Sequence, residues 1–160
     1  MNSLIVVYSC HHNNTQKVAE AMAKVLDAEI KTPQQTSTYE LKNYDLVGFG
    51  SCIDSGKNYP ELLDFASKLP QVANKKAFVF STSGMPINIS GQQKVEEYTS
   101  KCHATLKETL QSKGYTIVDE FGCAGFNTNK FLKYFGGINK GRPNEEDLKH
   151  AEAFAEKLKV

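Results

Sequence analysis

Two rhythms of apolar residues alternate along this chain. Short stretches that are apolar at nearly every position are separated by longer ones in which apolar residues return every three or four positions. The first kind reads as strand and the second as amphipathic helix. Strands are predicted at residues 3–8, 28–31, 45–50, 76–81 and 115–121. Leu4 to Tyr8, Leu46 to Phe49 and Ala77 to Phe80 are the most continuously apolar, as expected of central strands buried on both faces of a parallel sheet. Ala28-Glu29-Ile30 is short and partly charged, and Tyr115-Thr116-Ile117-Val118-Asp119-Glu120 mixes polar with apolar positions, which suits sheet edges.

Between the strands, Val18, Met22, Val25 and Leu26 share one helical face, and Leu62, Phe65, Ala66 and Leu69 share another. Val95, Thr99, Cys102, Leu106 and Leu110 stripe a long third helix that Gly114 ends. Leu148, Ala151, Phe154, Ala155 and Leu158 stripe the last, which Pro143 and a capping pattern from Asn144 to Asp147 open. This alternation predicts an α/β fold: a five-stranded parallel sheet in the order 2-1-3-4-5 with helices on both faces, one domain over residues 1–160. In that order the sheet reverses between strands one and three, and ligands bind outside the carboxyl ends of the strands at that point.

Two connections exceed what the fold needs. Residues 32–44 link the second strand to the third, in place of the covering helix that the fold could have used there. Residues 122–142 contain several glycines and the aromatics Phe126, Phe131, Tyr134 and Phe135. So many aromatics argue for packing rather than disorder.

Composition narrows the function. The chain has 160 residues, 40% apolar and 23% charged, with a net charge of +1, values ordinary for a soluble globular protein. Arg142 is the only arginine and there is no basic tract, so nucleic acid is not an expected partner. No apolar run reaches membrane-spanning length and no secretory leader pattern opens the chain, so a cytoplasmic protein without membrane attachment is expected. The four cysteines, Cys10, Cys52, Cys102 and Cys123, are widely spaced without a C-x-x-C pair and read as free thiols in a reducing compartment.

Candidate chemistry gathers after the three inner strands. The turn Ser9-Cys10-His11-His12-Asn13-Asn14-Thr15 joins a buried strand to a helix N-terminus, where unpaired N–H groups and the helix dipole favour an anion, and it holds no carboxylate. By itself this is equally a turn with a helix cap. It lacks the spaced glycines of a dinucleotide turn and the Gly-Lys-Ser/Thr of a triphosphate loop. Gly50-Ser51-Cys52-Ile53-Asp54-Ser55-Gly56 follows the third strand, with Ile53 and Tyr59 able to pack against a flat ring. Ser81-Thr82-Ser83-Gly84-Met85-Pro86 follows the fourth, with hydroxyls for a ring edge or sugar chain and Met85 as a soft wall. Adjacent His11 and His12 cannot easily face one metal ion, and Cys10 has only Lys17 nearby where a phosphatase nucleophile needs an arginine, so neither metal nor catalytic residues are assigned. A Mg²⁺-binding receiver domain of the same strand order would need acids in residues 9–15, which have none.

The turn Tyr8-Ser9-x-x-x-x-Asn14-Thr15, Gly50-Ser51 and Ser81-Thr82-Ser83-Gly84 resemble the flavodoxin family over nearly the whole chain. The run from Gly136 to Glu145 resembles a branch of it with a His-His phosphate turn. The resemblance implies a flavodoxin-like three-layer sandwich with flavin mononucleotide (FMN) as cofactor. It implies that Ser9, His11, Asn13, Asn14 and Thr15, with His12 in the same turn, hold the 5′-phosphate, to which a protonated histidine would contribute. Ser51, Cys52, Ile53 and Asp54 would border the isoalloxazine ring. Thr82, Ser83, Gly84 and Met85 would border its other edge or the ribityl chain, and Phe126 would cover it. Asp54 and Lys57 read as solvated loop charges; near the ring, Asp54 would disfavour the anionic reduced flavin. The implied function is electron transfer between redox partner proteins by a monomer or weak dimer. An FMN-dependent oxidoreductase acting on a quinone, porphyrin precursor or NAD(P)H is the alternative, favoured by the near-neutral charge and the aromatic 122–142 segment.

Overall fold

The structure is a computed structural model that describes residues 1–159. In chain order the elements are β1 (Ser3–Tyr8), α1 (Asn14–Leu26), β2 (Glu29–Lys31), β3 (Leu46–Asp54), β4 (Lys57–Asn58) and α2 (Pro60–Ser67). They continue with β5 (Lys75–Ser83), α3 (Ile87–Ser90), α4 (Gln92–Cys102), α5 (Ala104–Ser112), β6 (Tyr115–Ala124) and α6 (Glu145–Lys157). The sheet runs β2-β1-β3-β5-β6 with every neighbour parallel, which is the predicted order of the five main strands. The two-residue β4 is an addition: it folds back antiparallel on the end of β3 through a turn at Ser55 and Gly56, both with positive φ.

Period-two alternation divides the core between two layers of helices. Ile5, Val7, Phe78 and Phe80 pack with α1 and α6 on one face. Leu4, Val6, Val47, Phe49, Ala77 and Val79 pack with α2 and α5 on the other. Gly48 and Gly50 in β3 are required by this packing, because a Cβ at either would run into the ring of Phe78 or Phe80 on the neighbouring strand. The capping box of α6 forms as its sequence pattern predicts, Asn144 accepting from the Asp147 backbone and Asp147 accepting from the Asn144 backbone. Buried Asp147 is also held by Arg142 at 2.8 Å.

Register decides where the inner loops emerge. Tyr8 pairs with Ser51, Ser51 with Ser81, and Thr82 with Cys123, so β1, β3, β5 and β6 end nearly level.

Residues 32–44 are a connection holding two short 3₁₀ turns, Pro33–Gln35 and Glu40–Asn43. Three expectations need correction. The long third helix is interrupted at His103, whose side chain turns inward to polar partners described below. Within 122–142, Phe131, Tyr134 and Phe135 lie on a 3₁₀ turn and are 64%, 77% and 81% exposed, so these aromatics do not pack into the core. Only Cys102 and Cys123 are free thiols; Cys10 and Cys52 form a disulfide. The reason is topological. Adjacent parallel strands bring the residues just past β1 and at the end of β3 side by side, with Cα atoms 6.3 Å apart across 42 residues of sequence.

Candidate functional site

The loops after β1, β3, β5 and β6 are tied to one another at the carboxyl end of the sheet. The disulfide joins the first to the second. Thr15 and Thr82 join the first to the third through hydroxyls 2.8 Å apart, both buried. Asn14 joins the first to the fourth, its Nδ2 donating to the Phe126 carbonyl at 2.9 Å. His12 adds a second link there, with Nε2 2.8 Å from Thr128 Oγ1 and its ring 4.5 Å from that of Phe126. Asn139 closes the set. Its Nδ2 donates to the carbonyls of Met85 and Gly125, and its Oδ1 accepts from the Ile87 N–H. Four polar loops far apart in sequence thus form one wall.

At the centre stands the start of α1. The residue before the helix, Asn13, makes no side-chain cap bond and is left-handed, as is His12, and the first turn holds no acid. Two successive non-glycine residues with φ of 54° are uncommon and unfavourable, so the surrounding ties hold the turn in this shape. Ser9 Oγ accepts from the Gln16 N–H. The Oδ1 of Asn14 is buried beneath the turn with no protein partner. An acid-free polar turn at a helix N-terminus suits an anionic group, to which Asn14 Oδ1, an acceptor, offers no hydrogen bond.

A cleft of about 340 Å³ is lined by Ile53, Ser83, Gly84, Met85, Tyr98 and Asn127, from the ends of β3 and β5, from α4 and from the loop after β6. Its lining pairs apolar side chains with a hydroxyl, an amide and a glycine. At Gly84 a Cβ would meet the Asn127 side chain, which would have to move for any larger residue there.

The predicted residues occupy different layers of this arrangement. Ser9, His11, His12, Asn13, Asn14 and Thr15 are all in the first loop, with His11, His12 and Asn13 exposed and Asn14 and Thr15 buried. Ile53, Ser83, Gly84 and Met85 line the cleft. Asp54 is exposed beside it at the hairpin tip. Ser51 and Thr82 are enclosed: Ser51 Oγ accepts from Asn58 and the Tyr59 N–H, and Thr82 meets Thr15. Phe126 is half-buried against His12 rather than over the cleft. Tyr59, expected as a ring neighbour, instead stacks on Tyr8 with centroids 4.9 Å apart. Tyr98, Asn127, Thr128 and Asn139 were missed, although Asn139 sits in the glycine-rich run from Gly136 whose composition marked it as special.

A second polar cluster lies on the opposite face of β5. Ser81 Oγ is 2.7 Å from His103 Nε2, and His103 Nδ1 is 2.7 Å from Glu120. A carboxylate at Nδ1 requires the proton there, so in the neutral imidazole Ser81 donates to Nε2. Burial opposes ionisation of Glu120, but hydrogen bonds from His103, Lys107 and Ser100 outweigh it and hold the carboxyl at about 2. Ser81 and His103 have no exposed surface, and this cluster fastens α4 and α5 to β5 and β6. No helix among the described residues is long and apolar enough to cross a membrane.

Comparison with known proteins agrees with this architecture. The model of the flavodoxin domain matches residues 5–157. An uncharacterized protein of Methanocaldococcus jannaschii is 41% identical over 158 residues, covering 99% of this chain and 98% of its own. Oxidised flavodoxin 2 from Bacillus cereus superposes with a TM-score of 0.70 at 19% identity, covering 100% of both chains. A flavodoxin from the domain Archaea gives 0.65 at 15% identity, covering 99% of this chain and 96% of that one. These structural likenesses concern the fold.

Proposed function

This chain belongs to the flavodoxin-domain family, and we propose that it binds FMN at the β1–α1 turn and adjoining cleft and carries electrons between redox partners. The supporting observation is the joining of four loops, two of which also line a cleft of mixed apolar and polar surface, around the acid-free start of α1. When bound, FMN supplies a redox centre that accepts one or two electrons. The chain's own part is binding and tuning. Ser9, Asn13 and the first turn of α1 hold the phosphate by hydrogen bonds and the helix dipole, and His11 adds positive charge when protonated. Asn14 ties the turn to the fourth loop, its Nδ2 donating to the Phe126 carbonyl. Ile53 and Met85 provide apolar walls, while Ser83 and Asn127 provide polar contacts at the ring or ribityl edge. Cys52 and Thr82 fix the floor between these parts.

Titration with FMN and with riboflavin, followed by quenching of flavin fluorescence, tests the proposal. FMN binds stoichiometrically, and riboflavin binds at least about tenfold more weakly because charge-assisted phosphate bonds contribute about 1.5–3 kcal/mol. Absence of FMN binding refutes it.

The exposed Phe131, Tyr134 and Phe135 favour one second reading, an FMN-dependent oxidoreductase in which they wall a substrate. Rapid anaerobic oxidation of NAD(P)H, or reduction of a quinone, without any partner protein would establish the enzyme; inertness toward both leaves the carrier.

A further inference from the structure

The Cys10–Cys52 bond is the covalent member of the ties that hold the 9–15 turn. Its companions are the Thr15–Thr82, Asn14–Phe126 and His12–Thr128 hydrogen bonds. The turn needs such support. His12 and Asn13 are consecutive non-glycine residues in the left-handed region, a backbone shape that persists only where the surroundings impose it. It is also the turn that presents the start of α1. The bond therefore acts on the part of the molecule where ligand geometry is most demanding.

Position and accessibility separate this pair from the other cysteines. Cys10 and Cys52 are only partly buried, at the mouth of the loop cluster. Cys102 and Cys123 are enclosed, and burial pushes both of their thiols up. Thiol–disulfide exchange depends on thiolate character and access, so reagents reach the bonded pair and not the core thiols.

Resting on the FMN reading, we infer that Cys10–Cys52 is a thiol–disulfide exchange site for an external dithiol, and that its oxidation state sets how firmly the 9–15 turn grips a phosphate. A thiolate of the dithiol attacks one sulfur, breaking the Cys10–Cys52 bond and forming a mixed disulfide. The second thiol of the reagent then displaces that sulfur. The reagent leaves as a disulfide, and two electrons and two protons remain on Cys10 and Cys52. The bonded turn is preorganised, so its ligand meets the donors already in place. The dithiol turn is held by hydrogen bonds alone, relaxes from the left-handed shape and binds more weakly.

The test uses the full chain, equilibrated either in air or with dithiothreitol. Alkylation under denaturing conditions with intact-mass measurement counts thiols, and two are expected in the oxidised chain against four in the reduced one. FMN affinity is then measured in each state, with amide exchange of residues 9–15 followed in parallel without FMN. Affinity is expected to fall about tenfold on reduction, the exchange to quicken, and Cys52→Ala to bind like the reduced chain with no response to dithiothreitol. Four thiols in the air-equilibrated chain, or equal affinity in the two states despite a changed thiol count, overturns the inference. Failure of FMN to bind either state refutes the functional reading instead. Amide exchange then still discriminates: quickened exchange on reduction upholds the latch, and unchanged exchange removes it.

Discussion

Glu120 concentrates more hydrogen bonds than any other carboxylate described here, receiving them from Ser100, His103 and Lys107. Its folded carboxyl lies at about 2, below the ordinary 4.5, so its contribution to stability is complete above pH 4.5 and lost as pH falls toward 2. Because the side chain is partly exposed, solvent screening reduces that contribution to roughly 1–2 kcal/mol. Urea midpoints measured from pH 5 to pH 2 should therefore fall in the natural chain, and Glu120→Gln should flatten that part of the profile. At the site, Asp54 stands exposed at the hairpin tip beside cleft-lining Ile53. On the FMN reading, Asp54→Asn raises the potential of the couple that forms the anionic reduced flavin by roughly 40 mV, equivalent to about 1 kcal/mol of removed repulsion. An unchanged potential in anaerobic titration would place Asp54 outside the reach of the ring.

At the level of strands and helices, close approach of β3 and β5 carries much of the architecture. The Phe78 and Phe80 rings lie over Gly48 and Gly50, where the missing side chains leave room. Gly50→Ala forces the Phe80 ring aside in a packed core and should destabilise by about 1–3 kcal/mol, read as a lower denaturant midpoint. Phe80→Leu in the same chain should recover part of the loss, because the two changes act on one contact. The interruption of the third helix has a comparable origin. His103 N still bonds Thr99 O and Lys107 N still bonds His103 O, so the backbone bends at one residue while the imidazole reaches Ser81. The apolar stripe from Val95 to Leu110 was readable as helix. The bend was not, because its cause is a partner on another strand.

Across the whole molecule, a bound ligand draws on four loops at once, so binding should register in global stability. At an FMN concentration one hundred times Kd, stabilisation is about 2.7 kcal/mol. For a chain of this size that raises Tm by roughly 5–10 °C, measurable by calorimetry with riboflavin as the control. The net charge of +1 adds little long-range steering, so a redox partner would recognise this surface through local contacts. The exposed Phe131, Tyr134 and Phe135 on one 3₁₀ turn are an apolar feature available for them.

Hydrophobic periodicity alone determined the class of fold, the strand order and the central position of β1, β3 and β5, because burial on both faces leaves an unbroken apolar run in the sequence. Local chemistry likewise announced the α6 capping box and the acid-free turn before α1, since each depends on neighbours a few residues away. Pairings across the sheet ends were decided only in three dimensions. Nothing local links Cys10 to Cys52, Thr15 to Thr82, or Asn139 to Met85; the tertiary fold brings each pair together over intervals of 42, 67 and 54 residues. The same tertiary contacts enclosed Ser51 and left the 131–135 aromatics outside, because strand direction and loop closure, not residue type, set which way those side chains face.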